Sequence, residues 1–378
     1  MWRSDVAVVL LFLISAIAFS NRYFFDSTIT TTIFPARVYT ITPMSDHQKN
    51  RSCRVGYLLS ESKENRLQLH TCKKNYSDGG IDLIKVYTNR SVAAQGPFDV
   101  FVHDLTDIVR GARDGDYQMG SFMTELTDYM SRHPRMVVVN PLASWRLLHD
   151  RLQAQRVAKD VVKLLNDPDI IVPNRVYLET TGVENMTKRL EEAGVKFPFL
   201  CKSASFLAQS HHRMKLVFGR RGLEGLDLPC AAESFFNHSG ILHKMYVIGD
   251  AHFVYCRPSL RNFAMSDDLP NVEFSTSEVA KANSVSPLNA GKHGEPTSQT
   301  RPTSAEKISR MSEATRRVLG SSLIGIDVIV EDGTGKHVII DINDFPGYHE
   351  VGIQEFQTAL LQLLKTGPCS SDSVLGRK

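Results

Sequence analysis

Neither sign of charge prevails in this 378-residue chain: 44 Lys and Arg stand against 41 Asp and Glu, a net charge of +3. That excess is too small for a non-specific nucleic-acid binder, which needs a broad basic surface, so any anionic partner must be met locally. Cysteine is sparse. The six residues Cys53, Cys72, Cys201, Cys230, Cys256 and Cys369 form no CxxC pair and no short Cys/His spacing, which leaves a zinc site and a dense disulfide scaffold without support. No internal repeat occurs, and 42% hydrophobic with 22% charged residues exclude collagen, coiled coil and a wholly disordered chain. What remains is a packed body, long enough at about 150 residues per domain for two or three domains.

The main apolar run near the N-terminus, Val6 to Phe19, is short for a membrane span, which wants about 20 apolar residues; continuing through Phe24 and Phe25 would bury Asn21 and Arg22. Residues 1–25 therefore read as a signal-like or anchor segment, and the Thr- and Ser-rich residues 26–50 as a linker. Sequons at Asn75, Asn89, Asn185 and Asn237 permit glycosylation and decide little by themselves. A small α/β domain is expected over residues 51–145, a larger second domain over 146–366, and a polar tail over 367–378.

Val55 to Leu59, Phe98 to His103 and Val137 to Val139 read as strands separated by helical stretches such as Gly120 to Arg132, which predicts a largely parallel sheet. A helix from Asp150 to Leu165, with Val157, Val161, Val162 and Leu165 at helical spacing, opens the second domain. A helix at Val183 to Ala193 and strands at 198–202, 215–218, 243–247 and 252–256 make that domain α+β with antiparallel pieces. Between Thr276 and Ser304, Pro287, Pro296, Pro302, Gly291 and Gly294 without apolar periodicity predict a long loop, followed by a helix from Ala305 to Leu319.

The chemistry concentrates in two apolar strands at 324–330 and 337–343, joined by a Gly-rich turn, which read as a hairpin. Alternation puts Asp341 and Asn343 on one face, and a register pairing Asp327 with Asp341 adds a third oxygen group. Burying carboxylates in apolar strands demands a counter-charge, and hard oxygen donors suit magnesium; an arginine partner or a capped turn would also satisfy them. Asp344-Phe-Pro-Gly-Tyr348 follows, a turn whose amides can approach a phosphate.

Arg54-Val-Gly-Tyr, Asp150-Arg, Phe197-Pro-Phe-Leu-Cys-Lys202, Phe235-Phe-Asn-His238, Arg257-Pro-Ser-Leu-Arg-Asn-Phe263, Leu323-Ile-Gly-Ile-Asp327 and Ile340-Asp-Ile-Asn-Asp-Phe-Pro-Gly-Tyr348 occur in that order. Together they resemble the inositol-tetrakisphosphate 1-kinase family, also called inositol 1,3,4-trisphosphate 5/6-kinases, over residues from about 52 to 365. The resemblance implies an ATP-grasp fold behind a small α/β N-terminal domain, with ATP between two sheets. It also implies transfer of the ATP γ-phosphate to a hydroxyl of inositol 1,3,4-trisphosphate or inositol 3,4,5,6-tetrakisphosphate, with no obligatory protein base. Arg151, Lys202, Glu233, Lys244, Ser259 and Thr276 fall at the family's nucleotide positions, where Glu233 stands for a more frequent Gln and can accept from the adenine amine. Lys63, His212, Lys244, Asn343 and Gly347 fall at its inositol phosphate positions, and Asp327, Asp341 and Asn343 at its ligands for two magnesium ions.

The resemblance has departures. Where the family has His-Lys-Leu the chain has His103-Asp104-Leu105, a reversal of charge. Phe206-Leu207-Ala208 replaces Ala-His-Gly, and Ala280 replaces a serine. Two alternatives follow: an ATP or inositol phosphate binding protein of the same fold with impaired catalysis, and an ATP-grasp ligase. The expected partners are ATP and inositol polyphosphates, with no nucleic acid, for a monomer. Because these are cytosolic compounds, the body is placed in the cytoplasm, with residues 6–19 as a membrane anchor or an extension of no targeting use.

Overall fold

The computed structural model describes residues 52–203, 213–264, 266–281, 284, 286–289 and 303–370. The expectations for residues 1–25 and 26–50, His212, Leu207, most of the 276–304 loop and the end of the 367–378 tail lie outside the described residues.

In the first domain, apolar runs too short for helices alternate with amphipathic stretches, and the chain resolves them as strand and helix in turn. The elements are β1 (Cys53–Leu58), α1 (Glu61–Leu67), α2 (Lys73–Asp78), β2 (Ile81–Lys85), α3 (Val92–Gln95), β3 (Val100–His103), α4 (Thr106–Arg113), α5 (Tyr117–Arg132) and β4 (Val137–Val139). The sheet order is β2-β1-β3-β4, and every pairing is parallel, as expected. Parallel neighbours need helical crossovers, which bury both sheet faces, and β3 is accordingly buried along its whole length. Strand β2 was not anticipated; it is an edge strand whose Asp82 faces solvent, so its apolar signal is diluted.

After α6 (Leu142–Leu148), helix α7 (Arg151–Leu165) starts where the Asp150 side chain accepts from the Gln153 amide and stops where Asn166 turns left-handed at φ 48°. Then follow β5 (Ile170–Ile171), β6 (Arg175–Leu178), α8 (Val183–Glu192), β7 (Phe199–Ser203), β8 (Arg213–Val217), β9 (Cys230–Ser234), β10 (Ile241–Ile248), β11 (Ala251–Pro258), β12 (Val272–Ser275), α9 (Thr276–Val279), α10 (Ala305–Leu319), β13 (Leu323–Val330), β14 (His337–Asp344) and α11 (Ile353–Thr366). They form two five-stranded sheets, β12-β8-β7-β9-β6 and β11-β10-β13-β14-β5. Helices α7 and α10 cover one face of the second of these through Val157, Val161, Met311, Met245, Ile324 and Ile326. The loop expected from Thr276 begins instead with α9, one helical turn capped by Ser275, whose hydroxyl accepts from the Ser277 amide.

The C-terminal helix returns to the first domain. Phe356, Leu360 and Leu364 of α11 share a core with Val55, Leu67, Tyr76 and Val100, and with Tyr246 and Leu323 of the third sheet. Gln357 donates to the carbonyls of Leu67 and Gln68, both at 3.0 Å. Asn140, buried just after β4, ties the same bodies together: it donates to the Leu323 carbonyl at 2.7 Å and to Asp344 at 2.8 Å, and accepts from the Ser322 and Leu323 amides. Beyond α11, Cys369 is joined to Cys53 of β1 by a disulfide spanning 316 residues, with Cα atoms 5.7 Å apart. Cysteine spacing gave no sign of this pairing, which exists only once α11 has brought the chain back.

Replacing Cys369 by Ser is expected to lower stability by about 2–4 kcal/mol, the usual contribution of a native cross-link. The difference should vanish when wild type and variant are unfolded in urea with reductant. Equal midpoints without reductant would show that α11 packing alone holds this end of the chain.

Candidate active site

Strands β13 and β14 pair antiparallel with Asp327 opposite Asp341 and Gly325 opposite Asn343, the register that alternation predicts. Strand β10 lies on the other side of β13 with Lys244 opposite Asp327. Lys244, Asp327 and Asp341 thus form a row across three neighbouring strands. The Lys244 ammonium stands 2.5 Å from Asp327 Oδ1, an ionic contact without hydrogen-bond alignment, so that oxygen has no hydrogen bond. Burial, and then the charge of Asp327, push the Asp341 carboxyl above the usual range. Two carboxylates on neighbouring strands with an amide oxygen two residues along form a donor set that suits a hard divalent cation, with Lys244 as the present counter-charge of Asp327. Gly325, opposite Asn343, leaves little room for a side chain: a Cβ there would stand 3.0 Å from Pro346.

The middle sheet supplies the opposing charges. Lys202 of β7 is buried with its ammonium 2.7 Å from Glu233 Oε1, and Arg175 of β6 forks onto Glu233 Oε2. Burial alone would raise Glu233, but Arg175 and Lys202 hold it down at about 2. At Lys202, by contrast, burial outweighs the attraction of Glu233 and lowers the ammonium. Both results describe one buried triad in which Glu233 is the shared counter-charge of Arg175 and Lys202. Arg151, at the first position of α7, donates through Nε to the Ser203 carbonyl at 2.7 Å, and its own carbonyl accepts from Arg175. The charges of Lys202 on the middle sheet and Arg151 on α7 both act on Asp341, favouring its carboxylate against burial and Asp327.

Glu233, expected as an acceptor for an adenine amine, has each of its oxygens engaged by a cation. Ser259 places its hydroxyl 2.8 Å from His238 Nε2. Thr276 begins α9, at the end of β12 on the edge of the middle sheet. Arg175 escaped the sequence reading because only the β6–β9 pairing sets it opposite Glu233. In the sequence it is one more arginine at the start of a strand.

Lys63 and Gly347 come from opposite ends of the chain and meet at the turn after β14. The Lys63 ammonium donates to the Phe345 carbonyl at 2.5 Å and stands 2.7 Å from Asp104 Oδ2, while Arg66 donates to the Gly347 carbonyl at 3.1 Å. Burial raises Asp104, but Lys63 and the hydrogen bonds from Thr106 together hold it below the usual range. Asp344 is pushed up to about 7 by burial. His103, fully buried against the Asn140 carbonyl, is lowered by burial to about 4 and is neutral at physiological pH. A cleft of about 610 Å³ opens elsewhere, beside Gly249, Ser312, Arg316 and Ser321, where none of these groups lies.

Comparison with known proteins agrees with this geometry. The model of the inositol 1,3,4-trisphosphate 5/6-kinase pre-ATP-grasp domain matches residues 54–144, and that of the inositol 1,3,4-trisphosphate 5/6-kinase ATP-grasp domain matches residues 165–366. Inositol-tetrakisphosphate 1-kinase of Xenopus laevis is 34% identical over 314 residues, 83% of this chain and 78% of that protein. The Danio rerio protein of the same name is 34% identical over 313 residues, 82% and 77% of the two chains. In fold alone, the chain is similar to the macrocyclase MdnC of Microcystis aeruginosa MRC, with TM-score 0.50 and 13% identity over 83% of this chain and 100% of that one.

Glu233→Gln leaves Lys202 and Arg175 buried without their counter-charge, so a loss of about 3–5 kcal/mol is expected at neutral pH. A carboxylate held at about 2 against an ordinary 4.5 stabilises the fold above the ordinary value and ceases to do so as pH falls towards 2. The gap between wild type and variant should therefore narrow as acid is added below about pH 5. Chemical unfolding of both proteins across that range checks it; a gap independent of pH would mean the variant fails through packing.

Proposed function

The chain belongs to the inositol 1,3,4-trisphosphate 5/6-kinase family and is a kinase with an ATP-grasp fold behind a pre-ATP-grasp domain; from that premise we propose that it transfers the ATP γ-phosphate to inositol 1,3,4-trisphosphate or inositol 3,4,5,6-tetrakisphosphate. The observation that carries this reading is the row of Asp341, Asp327 and Lys244 across one sheet, with Lys202 of the other sheet and Arg151 of α7 close enough for Asp341 to feel their charge. Phosphoryl transfer needs little covalent help from protein; it needs phosphates fixed in line and their charge neutralised. Lys202 and Arg151 hold the nucleotide phosphates, with a phosphate competing against Glu233 for the Lys202 ammonium. Asp327, Asp341 and Asn343 would hold two magnesium ions, which supply charge neutralisation of the phosphates when bound. Lys244, between the acids and the substrate side, steadies the acceptor's phosphates, and the turn holding Asn343 and Gly347 positions its ring. His212 is assigned to the same acceptor through the family likeness.

The reading takes a monomer that meets inositol polyphosphates and ATP in the cytosol. Among the described residues no helix is long and apolar enough to cross a membrane. A disulfide is at home in an oxidising compartment, so in the cytosol the Cys53–Cys369 pair is expected to be reduced. A second reading, binding without catalysis, draws on Asp104, whose carboxylate occupies Lys63.

Incubating the protein with radiolabelled ATP, magnesium and each inositol phosphate should give a product with one more labelled phosphate. ATP binding without labelled product would favour the second reading. Asp341→Asn should cut turnover about a hundredfold or more while leaving the fold intact, because it removes a charge that burial and Asp327 already disfavour. Melting curves beside turnover assays separate these effects. Wild-type turnover in the variant would remove Asp341 from the metal set, and unfolding would make its role structural.

A further inference from the structure

We propose that Asp104 sets the substrate class of this site by cancelling the charge of Lys63, so that the subsite beside the turn after β14 receives a hydroxyl of an inositol phosphate rather than one of its phosphates. This rests on the kinase reading above. Lys63 is held on three sides: by Asp104 at 2.7 Å, by the Phe345 carbonyl at 2.5 Å, and by the Phe345 ring, whose centroid lies 4.3 Å from the ammonium. Asp104 is equally committed, its second oxygen accepting from the Thr106 amide at 3.2 Å. The two side chains are only 10% and 12% exposed, so water screens the pair weakly.

The groups around the pair restore little positive charge at Lys63 itself. Asp344 adds a second carboxyl, held by Asn140; Arg66 keeps its charge but directs its guanidinium at the Gly347 carbonyl and the Ser62 hydroxyl; His149, beside Thr106, is lowered by burial. One lysine therefore faces two carboxyl groups. A phosphate brought here would meet Asp104 at close range, with only Arg66, already donating to the Gly347 carbonyl, to offset it. A hydroxyl both donates and accepts, so it can give a hydrogen bond to the Asp104 carboxylate and take one from the Lys63 ammonium. Lys244 lies at the carboxylate row, and Lys202 of the middle sheet and Arg151 of α7 act on Asp341 of that row. A ring with its phosphates gathered towards that row and a free hydroxyl towards Lys63 matches both ends. The class is a sparsely phosphorylated inositol, a bis- or trisphosphate in preference to a tetrakisphosphate.

Calorimetric binding of inositol bis-, tris- and tetrakisphosphates to the full chain tests this without requiring turnover. Wild type is expected to bind a bis- or trisphosphate more tightly than the tetrakisphosphate. Asp104→Asn should tighten the tetrakisphosphate about tenfold or more, with a steeper loss on adding salt, and change the bisphosphate little. Adding Lys63→Met to Asp104→Asn should remove the gain. Asp104→Ser, which retains an acceptor for the Thr106 amide, replaces Asp104→Asn if melting shows that variant unfolded. An equal change for all three ligands, or none, overturns the proposal, as does tightest wild-type binding of the tetrakisphosphate. If selective binding appears and no labelled product forms, the kinase reading fails alone; if no inositol phosphate binds, both fail.

Discussion

Seven buried or half-buried charges drawn from seven elements, three acids among four cations, hold one another in place, and the rest of the structure depends on that pairing. Glu233, Asp327 and Asp341 stand against Arg151, Arg175, Lys202 and Lys244. Leaving any one of them unpaired in the interior costs several kcal/mol, so the elements that bring them together have little freedom to move. A one-residue slip of β14 would carry Asp341 to the face packed on α7 and α10. The surplus of one cation over the acids is the electrostatic condition under which a polyanion is welcome. Glu233 moderates that surplus while no phosphate is present.

The turn after β14 shows the same economy of position. Phe345 and Tyr348 both hold left-handed backbone, at φ 34° and 48°, a conformation that large side chains rarely adopt. Each is nonetheless fully packed, and the Tyr348 hydroxyl donates to the Val247 carbonyl at 2.8 Å. Lys63 and Arg66, one helical turn apart on α1, catch the carbonyls of Phe345 and Gly347. The first domain thus acts as a brace for a strained loop next to the carboxylate row. That explains physically why a domain with none of the row's charges is part of the enzyme.

What could be read from sequence divides along lines of range. Strand alternation placed Asp327, Asp341 and Asn343 together because period two is a local rule with one solution once the hairpin is recognised. The parallel first sheet and the cap of α7 at Asp150 were legible for the same reason. Arg175, Asn140 and the cysteine pair were not. Their partners lie 58, 183 and 316 residues away, where no local periodicity constrains the match. The short strand β12 was missed because Val272 to Ser275 sits among polar and turn residues, and takes its ladder from β8. The partner of Lys63 was visible only as a departure, Asp104, whose consequence needed the 2.7 Å contact to be known.

The covalent link between β1 and the residues after α11 also has a mechanical meaning. With Cys53 and Cys369 joined and their Cα atoms 5.7 Å apart, the body is topologically a closed loop of chain. Whatever precedes residue 52 and whatever follows residue 370 leave it from nearly one point. Tension on either extension, from a tether or from a neighbour, is shunted through the sulfur bridge into β1 and α11. While the bridge is oxidised that link bears the pull first; once it is reduced, the same pull falls on the packing of β1 and α11, which reaches Tyr246 and Leu323 of the third sheet.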